Sequence, residues 1–141
     1  MQTTIFQPVL ALVALTAFVW LTMLVRRAAC MRTAGIRPQD VPTRALADEK
    51  FGDTQIPNNN LMNLFELPVL FYVGCLLIYS VARVDTLYVE LAWVYVVLRV
   101  AHSAVALTYN NVLHRGIPYL VSCCVLWLMW ARIASQLLAT D

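Results

Sequence analysis

Glu66, Arg99 and Arg115 sit in or at the mouths of long apolar stretches. A charge in hydrocarbon is costly, so such a residue normally faces a bundle interior or a wet cavity and marks a candidate site. Each belongs to a short polar ladder at helical spacing: Asn59, Asn63 and Glu66; Arg99, His102 and Ser103, followed by Ala106; and Arg115, Tyr119 and Ser122. Residues spaced i, i+3, i+4 and i+7 share a helix face. Each ladder is therefore a polar stripe on an otherwise apolar helix.

The residue types define the chemistry. A guanidinium can hold a carboxylate through two parallel hydrogen bonds. A cation beside a thiol lowers its pKa, so that the nucleophilic thiolate exists at neutral pH. Arg115 is thus a candidate anchor for an anionic ligand or a thiolate, and Tyr119, one turn deeper, could donate to the same sulfur. A topogenic arginine and an interfacial aromatic residue would account for the same two positions. His102 fits a proton relay or a hydrogen-bonded interior histidine, and each Asn fits an interhelical hydrogen bond.

Positioning these side chains falls to four apolar stretches, at about residues 5–25, 60–82, 86–109 and 117–138. Each approaches the roughly 20 residues that cross a bilayer core as a helix. Composition agrees: 61% of residues are hydrophobic and 13% charged, about half the charge of a soluble domain, with mean hydropathy +0.70. The expected fold is an all-α integral membrane four-helix bundle in one domain. Nothing before residue 5 is basic and no small-residue cleavage site follows residue 25, so the first stretch reads as a retained helix rather than a signal peptide. No internal repeat suggests an inverted-repeat transporter.

The connection at 26–58 holds Arg26, Arg27, Arg32, Arg37, Arg44 and Lys50, six of the ten basic residues. The positive-inside rule places this loop in the cytosol and both termini outside. The later connections are short, which makes successive helices antiparallel neighbours. Glu66 then lies near the loop end of the second helix and Arg99 near that of the third, both roughly 12–17 Å inside at 1.5 Å per residue. An ion pair between them is expected. Pro68 should kink the second helix beside its polar ladder. Arg132, near the far end, is expected to snorkel.

Several classes are disfavoured. Net charge is +2 and no basic run interleaves with aromatics, so nucleic acid is not an expected partner. Cys30, Cys75, Cys123 and Cys124 form no C-x-x-C and lack metal spacing with His102 or His114. Buried, inert thiols are expected. Trp20, Trp93, Trp127 and Trp130 read as lipid-facing or packing residues.

At these residues the chain resembles the MAPEG family, the membrane-associated proteins of eicosanoid and glutathione metabolism. The helix-two pattern Asn-x-x-Glu followed by Pro is met by Asn63-Leu-Phe-Glu66-Leu-Pro68. The runs Leu98-Arg99-Val100-Ala101-His102-Ser103 and Arg115-Gly116-Ile117-Pro118-Tyr119 are similar to the prostaglandin E synthase branch. The resemblance implies a homotrimer that binds glutathione as co-substrate between subunits near the cytosolic face. It implies glutathione contacts from Asn63, Glu66, Arg99, Ser103 and Tyr119, and stabilisation of the thiolate by Arg115 as the catalytic residue. The implied activity is transfer to, or peroxide reduction of, lipophilic substrates that enter from the membrane lipids. Where the family places an arginine, a tyrosine and a serine, this chain has Asn59, Ala106 and Gly116. A non-catalytic protein of the same fold, binding a lipid or a partner helix, is the alternative. The compact chain and its helix-two variant point to a bacterial inner membrane.

Overall fold

The computed structural model describes residues 2–139. The described residues are helical, with six α-helices and three short 3-10 turns: α1 (Phe6–Ala34), α2 (Arg44–Phe51), α3 (Ile56–Leu64), α4 (Leu67–Ser80), α5 (Thr86–Leu107) and α6 (Val112–Leu138). Four helical runs are long and apolar enough to cross a membrane, with α2, α3 and α4 counted as one run.

The helix ends follow from local chemistry. Gly35 ends α1 at φ 63°, a left-handed conformation that costs glycine little. Asp85 caps α5 by accepting from the Tyr88 N–H at 3.0 Å. Asn111 caps α6 by accepting from the Leu113 and His114 N–H groups. That cap starts α6 five residues ahead of the apolar stretch, so Arg115 lies in the first turn. Pro118 consequently falls inside the helix rather than at its start. The long connection is largely folded. Helix α1 continues past Arg26 and Arg27, α2 buries Ala47 and Phe51, and the Arg27 guanidinium sits 5.0 Å above the Phe51 ring.

The second apolar stretch is not one kinked helix. It divides at Phe65 and Glu66, where Glu66 has φ −90° and ψ −102°. Pro68 has no N–H for the Leu64 carbonyl, and its ring clashes with that carbonyl in a continuous helix. Below the break, the Trp130 indole N–H donates to the Leu70 carbonyl at 3.2 Å.

Helices α5 and α6 form the most extensive pair, and α1 packs across α3 and α5. The core runs through Leu12, Val19, Phe71, Ile78, Tyr95, Leu126 and Ile133. Phe71 stacks on Tyr95 with ring centroids 4.6 Å apart. Outward, the helices expose Leu10, Phe18, Val97, Leu120 and Trp127. This apolar belt suits lipid or another protein surface. Trp20 and Trp93 also face out, while Trp130 packs inward. Of the cysteines only Cys75 is buried, and Cys124 is exposed on the belt.

The end opposite α2 is tied by polar contacts. Arg132 does not snorkel. It grips Asp85 through both carboxylate oxygens, Nη1 to Oδ1 at 2.9 Å, and lies 4.2 Å above the Tyr88 ring. Tyr88 donates to the Gln136 side chain at 2.9 Å. Gln2 bridges the turn by donating to the Ala82 carbonyl and accepting from the Val84 N–H.

The hydrogen bonds from Arg132 hold the Asp85 carboxyl below its ordinary range, against partial burial and with help from the Tyr88 N–H. A carboxylate whose folded-state pKa is depressed adds stability above the unfolded pKa, and that stability is lost as pH falls through the folded pKa. The thermal midpoint of the solubilised protein, followed by circular dichroism, should hold from neutral pH to about pH 5 and fall below about pH 4. Asp85→Asn should lower the midpoint at neutral pH and lose less on acidification. Equal acid sensitivity of the two proteins would remove Asp85 from this account.

Candidate functional site

At the end that carries α2, helices α3, α5 and α6 converge. A cleft of about 220 Å³ opens there, lined by Asn63, His102, Val112, Arg115, Gly116 and Tyr119. Three of the six residues singled out for binding or catalysis, Asn63, Arg115 and Tyr119, thus share one cleft. Arg99 and Ser103 lie behind it, at 0% and 1% exposure.

Arg115 is held at two points. Its Nη1 donates to Asn110 Oδ1, and Asn110 takes φ 47°, turning the chain so that its amide meets the first turn of α6. The Arg115 carbonyl lies 2.8 Å from His102 Nδ1. A carbonyl can only accept, so Nδ1 carries the proton and Nε2 of the neutral ring becomes the acceptor. The imidazole also lies against Tyr119, with centroids 5.6 Å apart. His102 therefore joins α5 to the start of α6.

Arg99 is enclosed by aromatic rings. Its guanidinium carbon is 5.0 Å from the Tyr119 ring centroid and 5.5 Å from that of Tyr95. Nε donates to the Tyr95 hydroxyl at 3.2 Å, and Nη2 donates to the Asn63 carbonyl at 3.4 Å. The expected Glu66–Arg99 ion pair is not formed; among the described residues the ion pair is Arg132–Asp85. The break at residues 65–66 explains this. The i+7 register that would carry Glu66 onto the face of Asn59 and Asn63 requires an unbroken helix. Glu66 is exposed.

Within α3 itself the first ladder does not form one stripe. Asn59 is exposed, Asn63 is half-buried in the cleft, and Asn60 is buried. Asn60 accepts from the Ser103 hydroxyl at 3.4 Å. Ser122 is buried, but its hydroxyl turns back to the Tyr119 carbonyl and does not reach the cleft. Sequence reasoning overlooked Tyr95, Asn60 and Asn110. Tyr95 lies one turn before Arg99 and Asn60 three residues before Asn63, so both were reachable by spacing. Asn110 carried no periodic signal.

Three buried polar atoms around this site have no partner: Arg99 Nη1, His102 Nε2 and Asn60 Nδ2. They amount to two free donors and one free acceptor. Unpaired buried groups of this kind are costly, and their concentration here suits the region to a polar, partly anionic ligand. Among the described residues no cluster of His, Cys, Asp and Glu could hold a metal ion.

Asn110 separates backbone from side-chain effects. Glycine accepts positive φ whereas alanine is strained there by about 1–2 kcal/mol. Asn110→Gly should keep the thermal midpoint near the parent value, and Asn110→Ala should lower it. Equal losses in the two variants, measured in detergent, would show that the Arg115 bond rather than the turn is what Asn110 contributes to stability.

Among curated proteins and among solved structures, none matches the chain. A family model does match, that of the MAPEG family, over residues 5–135. With its four membrane-spanning helices and its polar cleft at one end, the chain is a multi-pass membrane protein that belongs to the MAPEG family.

Proposed function

We propose that the protein is a glutathione-dependent transferase or peroxidase acting on lipophilic substrates. The family includes such enzymes and also non-catalytic members. The observation that carries the reading is the Arg115 guanidinium, fixed by Asn110 in a cleft it shares with Asn63, His102 and Tyr119. The buried charge of Arg99 stands directly behind.

In this reading Arg115 stabilises the thiolate of glutathione, and the Tyr119 hydroxyl donates to the same sulfur. Asn63 holds the peptide part from the cleft wall, Arg99 and Ser103 support it from behind that wall, and Glu66, exposed at the helix break, offers a carboxylate to its ammonium group. In the transfer reaction the sulfur forms a bond to an electrophilic carbon and the leaving group departs with the displaced electron pair. With a hydroperoxide the thiolate takes the terminal oxygen and releases an alcohol. A second glutathione then yields the disulfide and water.

An apolar groove of about 350 Å³, with Trp20 and Tyr72 in its walls, opens between α1 and the α3–α4 break. It supports a substrate that arrives from the bilayer. The working form is a homotrimer in a bacterial inner membrane, with the α2 end cytosolic and both termini outside, as the distribution of arginine favours. The second reading, a non-catalytic member, draws support from Ala106, buried where the family places a tyrosine, and from the exposed Asn59.

Calorimetry of the purified protein with glutathione tests the proposal. Saturable binding should weaken at least about tenfold in Arg115→Ala, as expected for loss of one hydrogen bond to a charged group. The ultraviolet thiolate band should be lost in that variant. Turnover of a model electrophile should fall by about 100-fold, as on removing one transition-state donor. A folded protein that binds no glutathione at millimolar concentration would overturn the assignment. Binding with neither a thiolate band nor turnover would favour the non-catalytic reading.

A further inference from the structure

Helix α1 carries two grooves that meet at Arg26. One, of about 370 Å³, runs along the apolar part of the helix and is lined by Phe18, Leu21, Thr22 and Val25 together with Arg26. The other, of about 450 Å³, has Arg26, Thr33, Asp53 and Thr54 in its walls. The 29 residues of α1 span about 43 Å at 1.5 Å per residue, against a hydrocarbon core of about 30 Å. The apolar run ends at Val25, so Arg26 stands where hydrocarbon gives way to headgroups. The second groove lies beyond it, at headgroup depth.

The charges at this level are uncompensated. Arg26 is fixed by donation from Nη2 to the Leu107 carbonyl at 3.0 Å. Among the described residues neither Arg26 nor Asp53 belongs to an ion pair. A cation at the seam, a carboxylate one step further out and an apolar channel below form the outline of an amphiphile with a zwitterionic head.

We propose that this double groove binds a phospholipid whose headgroup joins a phosphate to a primary ammonium, as in phosphatidylethanolamine. The acyl chain lies along Phe18 to Val25, the phosphate meets Arg26, and the ammonium donates to Asp53. Arg26 by itself accepts any phospholipid; the discrimination comes from Asp53. A quaternary ammonium has no N–H to donate, a glycerol head brings no cation, and a serine head adds a carboxylate that Asp53 repels. The site is separate from the cleft at Arg115 and does not depend on the function assigned to it.

Native mass spectrometry can read this directly. The full-length protein is exchanged into micelles with equal amounts of phosphatidylethanolamine, phosphatidylcholine and phosphatidylglycerol of matched acyl chains. The ethanolamine lipid should be retained about fivefold over each of the others, the upper end of what an exposed ion pair supplies. Asp53→Asn should abolish that preference while total bound lipid stays the same. Arg26→Gln should lower retention of all three. Asp53 is exposed, so its variant is expected to fold even if Arg26→Gln, which also loses its bond to Leu107, does not. Equal retention of the three lipids by the parent, or an unchanged preference in Asp53→Asn, would overturn the proposal. Displacement of the lipid by millimolar soluble phosphoethanolamine would also overturn it, by assigning the site to the free headgroup.

Discussion

Arg99 is a full positive charge with no solvent exposure, and much of the α3–α5–α6 end is arranged around the cost of keeping it there. An isolated ion in an apolar interior would be prohibitive. The chain meets that cost with π-faces and oxygen dipoles rather than with a carboxylate. Tyr95 supplies a ring and a hydroxyl, Tyr119 a ring, and Asn63 a backbone carbonyl. These partners come from α5 itself and from two other helices, so the guanidinium also sets how closely those helices approach. The solvation is incomplete, because Nη1 keeps no acceptor. A cation compensated by neutral groups retains its positive field, which is what a site for an anionic ligand requires.

The carbonyl that Arg99 uses is available because of the break in the second apolar stretch. Helix α3 ends at Leu64, so the Asn63 carbonyl has no i+4 donor within its own helix and can turn to the guanidinium. The same break releases Glu66 from the face of Asn63 and leaves it exposed. One proline thus acts on two charged residues at once: it supplies a partner to Arg99 and withholds Glu66 from it.

The two ends of the bundle use arginine in opposite ways. Arg132 is closed off by a two-point grip on Asp85 with Tyr88 beneath it. Its hydrogen bonding is directed inward, tying α5 to α6, and Gln2 secures the adjoining turn. At the other end Arg115 is held by a neutral amide, which orients the guanidinium without cancelling its charge. Compensated charge ties one end together, and at the other the charge keeps its positive field.

Composition and periodicity by themselves determined an all-helical chain with four apolar runs, because a bilayer core sets the length of a span and leaves few backbone solutions within it. The buried stripe of α5, with Arg99, His102, Ser103 and Ala106, was legible for the same reason: one unbroken helix preserves its period. The tertiary structure alone decided where that period fails. Pro68 announced a disturbance, yet whether it would kink or divide the helix depended on whether a neighbour could satisfy a freed group, and that neighbour is Arg99 from α5, which takes the Asn63 carbonyl. The partner of Arg132 was likewise hidden, since Asp85 lies 47 residues away. Asn110 could not be found from spacing at all, because its role comes from a backbone turn and not from a helix face. Local sequence sets which groups want partners, and only the assembled bundle sets which of them meet.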